Sequence, residues 1–182
     1  MDDIVRQAMA KWPHVPDCFG WLGLDSRGDW YMRDDQAQAL GAFGSGHPGA
    51  KGSKLTHEKL LAFIARNYMA DAQGRWYFQN GPQRVYVELA TAPWIWRVQA
   101  DYTLQSHTGL PTHCIACLMD EHGWLYMETP IGLGLVHTQD VAQAAQAMES
   151  GLWTIQSVER KDIPSHYGYC LSPALAQYVL PK

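Results

Sequence analysis

Arg66, Asn67, Gln79, Asn80, Gln83 and Arg84 are the residues of this chain whose types and spacing best suit the binding of an anion. Two guanidinium groups can grip a carboxylate or phosphate bidentately, and side-chain amides nearby add neutral donors and acceptors. The same amides are also what a tight turn uses to satisfy its own backbone, so the cluster has a purely structural reading beside the ligand-binding one.

His113-Cys114-Ile115-Ala116-Cys117 has zinc-ligand residue types. On a strand, however, residues three apart face opposite ways, so two sulfurs could not both reach one ion at about 2.3 Å. Cys18 and Cys170 are isolated, and buried structural thiols are the expectation. A nucleophilic Cys114 or Cys117 would need a histidine beside it, with His107, His113 and His137 as the candidates near in sequence. His57-Glu58 opens like a metalloprotease helix, but Leu61 stands where the second histidine belongs. Gly46-His47-Pro48-Gly49-Ala50-Lys51-Gly52-Ser53 suggests a phosphate cradle. It lacks the Gly-Lys-Ser/Thr ending and a preceding apolar strand, and a long loop is the simpler reading.

The elements that would carry these residues are announced by a phrase that returns three times: Asp, two variable residues, Gly, then an aromatic-rich run. It begins at Asp25, Asp71 and Asp120, with Gly28, Gly74 and Gly123 closing the four residues and Tyr31, Tyr77 and Tyr126 in one column. Asp first and Gly fourth are type I turn preferences, so each copy predicts a hairpin. The recurring acids are thereby explained by turn chemistry rather than acid–base catalysis.

A short amphipathic helix is expected over 2–12, ended by Pro13 and Pro16. Strands follow over 19–24 and 29–33. The pattern then dissolves into a glycine-rich, flexible loop over about 35–53. Leu55 to Tyr68 reads as the best helix, with Leu60, Leu61, Ile64 and Tyr68 on one stripe and Thr56 as its cap. Strands over 75–79 and 83–89 pair across Asn80-Gly81-Pro82, and Trp94 to Val98 adds another. The remainder predicts a hairpin over 113–119 and 124–128, a helix from Thr138 to Met148, a long strand over 152–159 and a short helix over Pro173 to Val179. Hairpins require antiparallel pairing, so the fold class is α+β: repeated antiparallel hairpins interleaved with amphipathic helices, from an internal duplication, in a single domain.

The chain has 182 residues, 47 % of them hydrophobic, with eight Trp and nine Tyr, which suits a folded, β-rich domain. Formal net charge is −4 with scattered Lys and Arg, which argues against nucleic acid as a partner. Acids at the N-terminus do not fit a signal peptide, and no apolar run approaches a membrane span, so a cytoplasmic protein without membrane contact is expected.

The block Phe63-Ile64-Ala65-Arg66-Asn67-Tyr68, running through Gly74-Arg75-Trp76-Tyr77-Phe78-Gln79-Asn80-Gly81-Pro82-Gln83-Arg84-Val85-Tyr86-Val87, resembles an uncharacterised proteobacterial family of unknown function. The hairpin, helix, hairpin order is more distantly similar to a second uncharacterised bacterial family. The resemblance implies a bacterial cytoplasmic source and carries over no activity. The resulting expectation is a ligand- or protein-binding regulatory module without a cofactor. Its partner would be a small anionic ligand, another protein or a second copy of the chain. The alternative is a small hydrolase or transferase using a Cys/His pair, its site between the repeats and the glycine-rich loop as its lid.

Overall fold

The computed structural model describes residues 1–176, which divide into two units: 1–25, 29–90 and 169–176 make the first, and 26–28 with 91–168 the second. The fold is α+β, and each unit is built on one mixed sheet.

The first unit holds α1 (Asp3–Lys11), β1 (Cys18–Leu24), β2 (Trp30–Met32), α2 (Asp35–Ala39), β3 (Ser53–Lys54), α3 (Glu58–Arg66), β4 (Tyr68–Ala70), β5 (Trp76–Asn80) and β6 (Gln83–Leu89). Its strand order is β3-β2-β1-β6-β5-β4. Neighbours are antiparallel except β1 and β6, which run parallel at the centre. The second unit holds β7 (Trp94–Val98), β8 (Leu104–Ser106), β9 (Pro111–Thr112), β10 (Ala116–Asp120), β11 (Leu125–Thr129), β12 (Gly132–Val136), α4 (Val141–Glu149), β13 (Ile155–Val158) and α5 (Ile163–His166). Its order is β13-β10-β11-β12-β7-β8-β9. The chain then returns to the first unit with α6 (Pro173–Ala176), and the rest of the helix expected to Val179 lies outside the described residues.

All three Asp-x-x-Gly phrases form the same turn. Asp71 Oδ1 accepts the N–H of Gln73 and of Arg75, and Asp120 Oδ1 accepts those of His122 and Trp124, while Asp25 Oδ1 accepts that of Asp29. Gly28, Gly74 and Gly123 sit at φ 80°, 72° and 79°, a left-handed conformation that strains other residues. Each turn therefore closes its hairpin one residue past the glycine, with Asp25 N–H bonded to Asp29 O, Asp71 to Arg75 and Asp120 to Trp124.

Departures from the periodicity have local causes. Asn67 ends α3 at φ −120°, which releases Tyr68 from the expected helical stripe to pair with Phe78 as part of β4. The cap is His57, whose Nδ1 accepts Leu60 N–H, rather than Thr56. Likewise His137, not Thr138, heads the turn before α4, accepting Gln139 N–H. The hairpin strand expected from His113 starts only at Ala116, and the last strand shrinks to β13.

The stretch without pattern, 34–53, contains α2, capped by Asp34 Oδ1 on Ala37 N–H. It is organised around Arg33, whose side chain is buried to 4 % exposure. The guanidinium donates to the carbonyls of Ala50 (2.8 Å), Gly41 (2.6 Å), Ala37 (3.4 Å) and Gly20 (3.3 Å). Burial pulls this guanidinium's pKa down, and the charge of nearby Glu88 pulls it back up. Phe43 from the same stretch lies over Gly23 of β1, where a Cβ would come within 2.4 Å of the ring.

In the second unit the indoles of Trp94 and Trp96 stack at 5.9 Å and donate to Ile131 O and Met127 O. Their bulk requires glycine opposite: a Cβ at Gly134 would meet Trp96 at 2.4 Å. His107 packs against Trp94 and accepts Ile95 N–H through Nδ1.

Arg33→Met keeps most of the side-chain volume but leaves four carbonyls without their donor. It should lower the unfolding free energy by about 2–4 kcal/mol in urea titrations at neutral pH. A second outcome concerns acid. Burial depresses the pKa of His107 to about 3, against about 6.5 in the unfolded chain. Its contribution to stability is therefore complete above pH about 6.5 and drains away toward pH about 3, at up to roughly 1.4 kcal/mol per pH unit. His107→Gln should flatten that part of the stability–pH curve, as read from urea midpoints between pH 7 and pH 4.5.

Candidate functional site

The β5–β6 hairpin turns through Gly81-Pro82, with Gly81 at φ 57°. Its register sets Tyr77 opposite Tyr86 and Gln79 opposite Arg84. Strand alternation then puts Arg75, Tyr77, Gln79, Arg84 and Tyr86 on one face of the sheet.

The two arginines of this face are in different electrostatic states. Arg75 Nε donates to Asp71 Oδ2 at 2.7 Å, and Nη2 reaches the Tyr86 hydroxyl at 3.2 Å. That hydroxyl in turn donates to Asp71 Oδ2 at 3.0 Å. Phe19 stacks on the Tyr86 ring at 4.5 Å, with Arg75 over the ring at 4.8 Å. Burial raises the Asp71 pKa, but the bonds from Arg75 and Tyr86 outweigh it and hold the carboxyl below its ordinary range. Arg75 is thus neutralised within the turn. Arg84 lies over the Tyr77 ring at 5.1 Å, and its hydrogen bond with Tyr86 raises its pKa above the ordinary value. Among the described residues it forms no ion pair.

Gln79, opposite Arg84, is 1 % exposed. Its Nε2 donates to Gly81 O at 2.9 Å, and since that carbonyl can only accept, the amide orientation is determined. Oε1 is left buried with no hydrogen-bond partner among the described residues. Gln79 and Arg84 line a cleft of about 360 Å³, together with Met9 and Trp12 of α1 and its C-cap, Val15, Asp17 and Pro82.

Most of the remaining residues of the predicted cluster tie down neighbouring segments. Asn67 Oδ1 accepts Asp2 N–H at 2.9 Å, and its Nδ2 donates to Phe63 O. Arg66 Nε contacts both Asp2 carboxylate oxygens, at 3.1 and 3.2 Å. The start of α1 is thereby tied to the end of α3. Gln83 Nε2 donates to Pro16 O at 3.1 Å and holds the segment after α1 against the hairpin. Asn80 is exposed at the turn, outside the cleft lining. Met9, Trp12, Val15 and Asp17 are absent from the sequence-derived cluster. The local signal in the sequence was a Trp followed by Pro13 and Pro16.

The cysteines are placed otherwise than a nucleophile requires. Cys117 is buried within β10, and Cys114 precedes the strand. Neither hydrogen-bonds a histidine among the described residues, where His107 and His137 instead accept backbone N–H groups. Burial pushes the Cys114 thiol up to about 12 and the Cys117 thiol up to about 11. Among the described residues no cluster of His, Cys, Asp or Glu could hold a metal ion, and no helix is long and apolar enough to cross a membrane. In the glycine-rich stretch, Lys51 pairs with Asp25 at 3.0 Å, and β3 rather than a helix follows.

Comparison with known proteins adds a family. The model of DUF2944, described as a protein of unknown function (DUF2946), matches residues 1–174. No curated protein matches the chain. A DUF1285 family protein from Silicibacter pomeroyi is similar in structure at a TM-score of 0.47 and 11 % identity, over 80 % of this chain and 84 % of that one. A DUF1285 family protein from Shewanella baltica is similar at 0.45 and 14 %, over 69 % of this chain and 91 % of that one.

Thiols held at such high pKa values are almost wholly protonated at pH 8. Iodoacetamide should therefore alkylate Cys114 and Cys117 at least about tenfold more slowly in the native protein than in urea, as followed by peptide mass spectrometry.

Proposed function

We propose, for a chain that belongs to the DUF2944 family of unknown function, a binding role in the bacterial cytoplasm, with a small ligand held through its anionic group in the cleft between α1 and the β5–β6 hairpin. The observation that carries this reading is that Gln79 Oε1, buried and without a donor among the described residues, and Arg84, which forms no ion pair among them, stand opposite on one rung of the hairpin. An unsatisfied buried oxygen costs about 1–3 kcal/mol, which a ligand N–H or O–H would recover. An arginine with free donors beside it suits a carboxylate or phosphate, and the flanking Trp12, Met9 and Pro82 suit an apolar body.

The hydrolase or transferase alternative has less to start from, since burial keeps both candidate thiols protonated and, among the described residues, no histidine hydrogen-bonds either one. Four free cysteines are in keeping with a reducing compartment.

Benzoate and phenyl phosphate combine an anionic head with a flat apolar body and serve as probes. Isothermal titration should give saturable binding of at least one of them, weakened about tenfold or more by Arg84→Ala. Absence of saturable binding of both to the wild-type protein would remove the reading.

A further inference from the structure

Gln79 and Arg84 are directly opposed on neighbouring strands, a relation that sets Cβ atoms about 4.5–5.5 Å apart. Both side chains line the same cleft, so one ligand can meet both. The groups differ in kind. Gln79 Oε1 accepts and cannot donate, because its amide nitrogen is committed to Gly81 O. Arg84 donates and cannot accept. The pair thus asks for a donor and an anionic acceptor on one ligand.

The charge balance of the cleft narrows the chemistry further. Asp17 lines it as well, close enough for its charge to act on Arg84 although it makes no ion pair with it. The lining so carries one positive and one negative side chain. A purely anionic ligand would leave the Asp17 carboxylate repelling it, whereas a ligand with both charges and no net charge complements both. The other walls, Met9, Trp12, Val15 and Pro82, are apolar. They would cover a large apolar substituent once the polar end is seated.

We infer that the cleft binds a free α-amino acid with a large apolar side chain, its ammonium on Gln79 Oε1 and facing Asp17, its carboxylate on Arg84. This rests on the cleft being a ligand site. It goes further in requiring that the ammonium and the carboxylate both be read. An α-carbon carries an ammonium and a carboxylate and leaves one substituent for the apolar walls. Binding also gives Gln79 the donor it lacks, so a ligand missing the ammonium forfeits that gain and meets Asp17 unpaired.

L-Phenylalanine, 3-phenylpropanoate (no ammonium) and phenethylamine (no carboxylate) separate the contributions by isothermal titration against the full chain. L-Phenylalanine should bind saturably, with each analogue at least about tenfold weaker. Asp17→Asn, at an exposed position where folding is not at stake, should weaken L-phenylalanine about threefold to tenfold and leave 3-phenylpropanoate unchanged or tighter. Arg84→Ala should weaken L-phenylalanine about tenfold or more while leaving phenethylamine nearly unaffected. If 3-phenylpropanoate binds as tightly as L-phenylalanine and loses affinity in Arg84→Ala, the amino-acid inference is overturned and the anion-binding cleft stands. If none of the three binds, and benzoate and phenyl phosphate fail as well, both are overturned.

Discussion

A carboxylate that accepts backbone N–H groups at the head of a tight turn is the interaction on which the hairpins of both units depend. One oxygen of Asp71 takes the N–H groups of Gln73 and Arg75, one of Asp120 those of His122 and Trp124, and one of Asp25 that of Asp29. The glycine three residues on supplies the left-handed backbone that lets the chain reverse. Fixing the turn fixes the register, and a slip of one residue would turn every side chain to the opposite face. The buried aromatics of these strands, Trp30, Tyr77 and Tyr126 among them, owe their placement to that constraint.

At the second copy the same carboxylate has a further task. The other oxygen of Asp71 gathers Arg75 and Tyr86, so one of the two guanidinium groups on this sheet face is neutralised before any ligand arrives. Arg84, a few residues on, lies over a tyrosine ring and within range of the Asp17 charge, but forms no ion pair among the described residues. Identical side chains on one face thus differ in whether a carboxylate lies within hydrogen-bond reach. The cleft exists because Arg66, Asn67 and Gln83 spend their hydrogen bonds on the backbone and carboxylate of the segment over 2–16. Their role is to place a wall.

Arg33 provides a different kind of organisation in the same unit. A stretch with little regular structure leaves carbonyls with no sheet or helix to receive them. A single guanidinium, with five donors on a rigid plane, collects three of them, from Ala37, Gly41 and Ala50, and a fourth carbonyl from Gly20 of β1. The glycine-rich composition of that stretch reads as an absence of pattern because what holds it is one side chain outside it.

Much of the architecture was legible along the chain. The Asp-x-x-Gly turns, the β5–β6 hairpin, α1 and the α+β class all follow from contacts within a few residues, where periodicity and turn chemistry act directly. The polar cluster of Arg66, Asn67, Gln79, Asn80, Gln83 and Arg84 was visible as a density of polar groups. Residue type alone could not say which of them would be spent on neighbours. Which partner each side chain meets depends on residues far away in sequence: Asp2 for Arg66, Pro16 for Gln83, and Met9 and Trp12 across from Gln79. The same holds for Cys114 and Cys117, whose types suggest reactivity until burial sets their pKa values. Local order was written in the sequence because hydrogen bonds over four residues need no tertiary context. That Gln79 Oε1 lacks a donor and Arg84 an ion pair among the described residues emerged only from the tertiary placement of the groups around them.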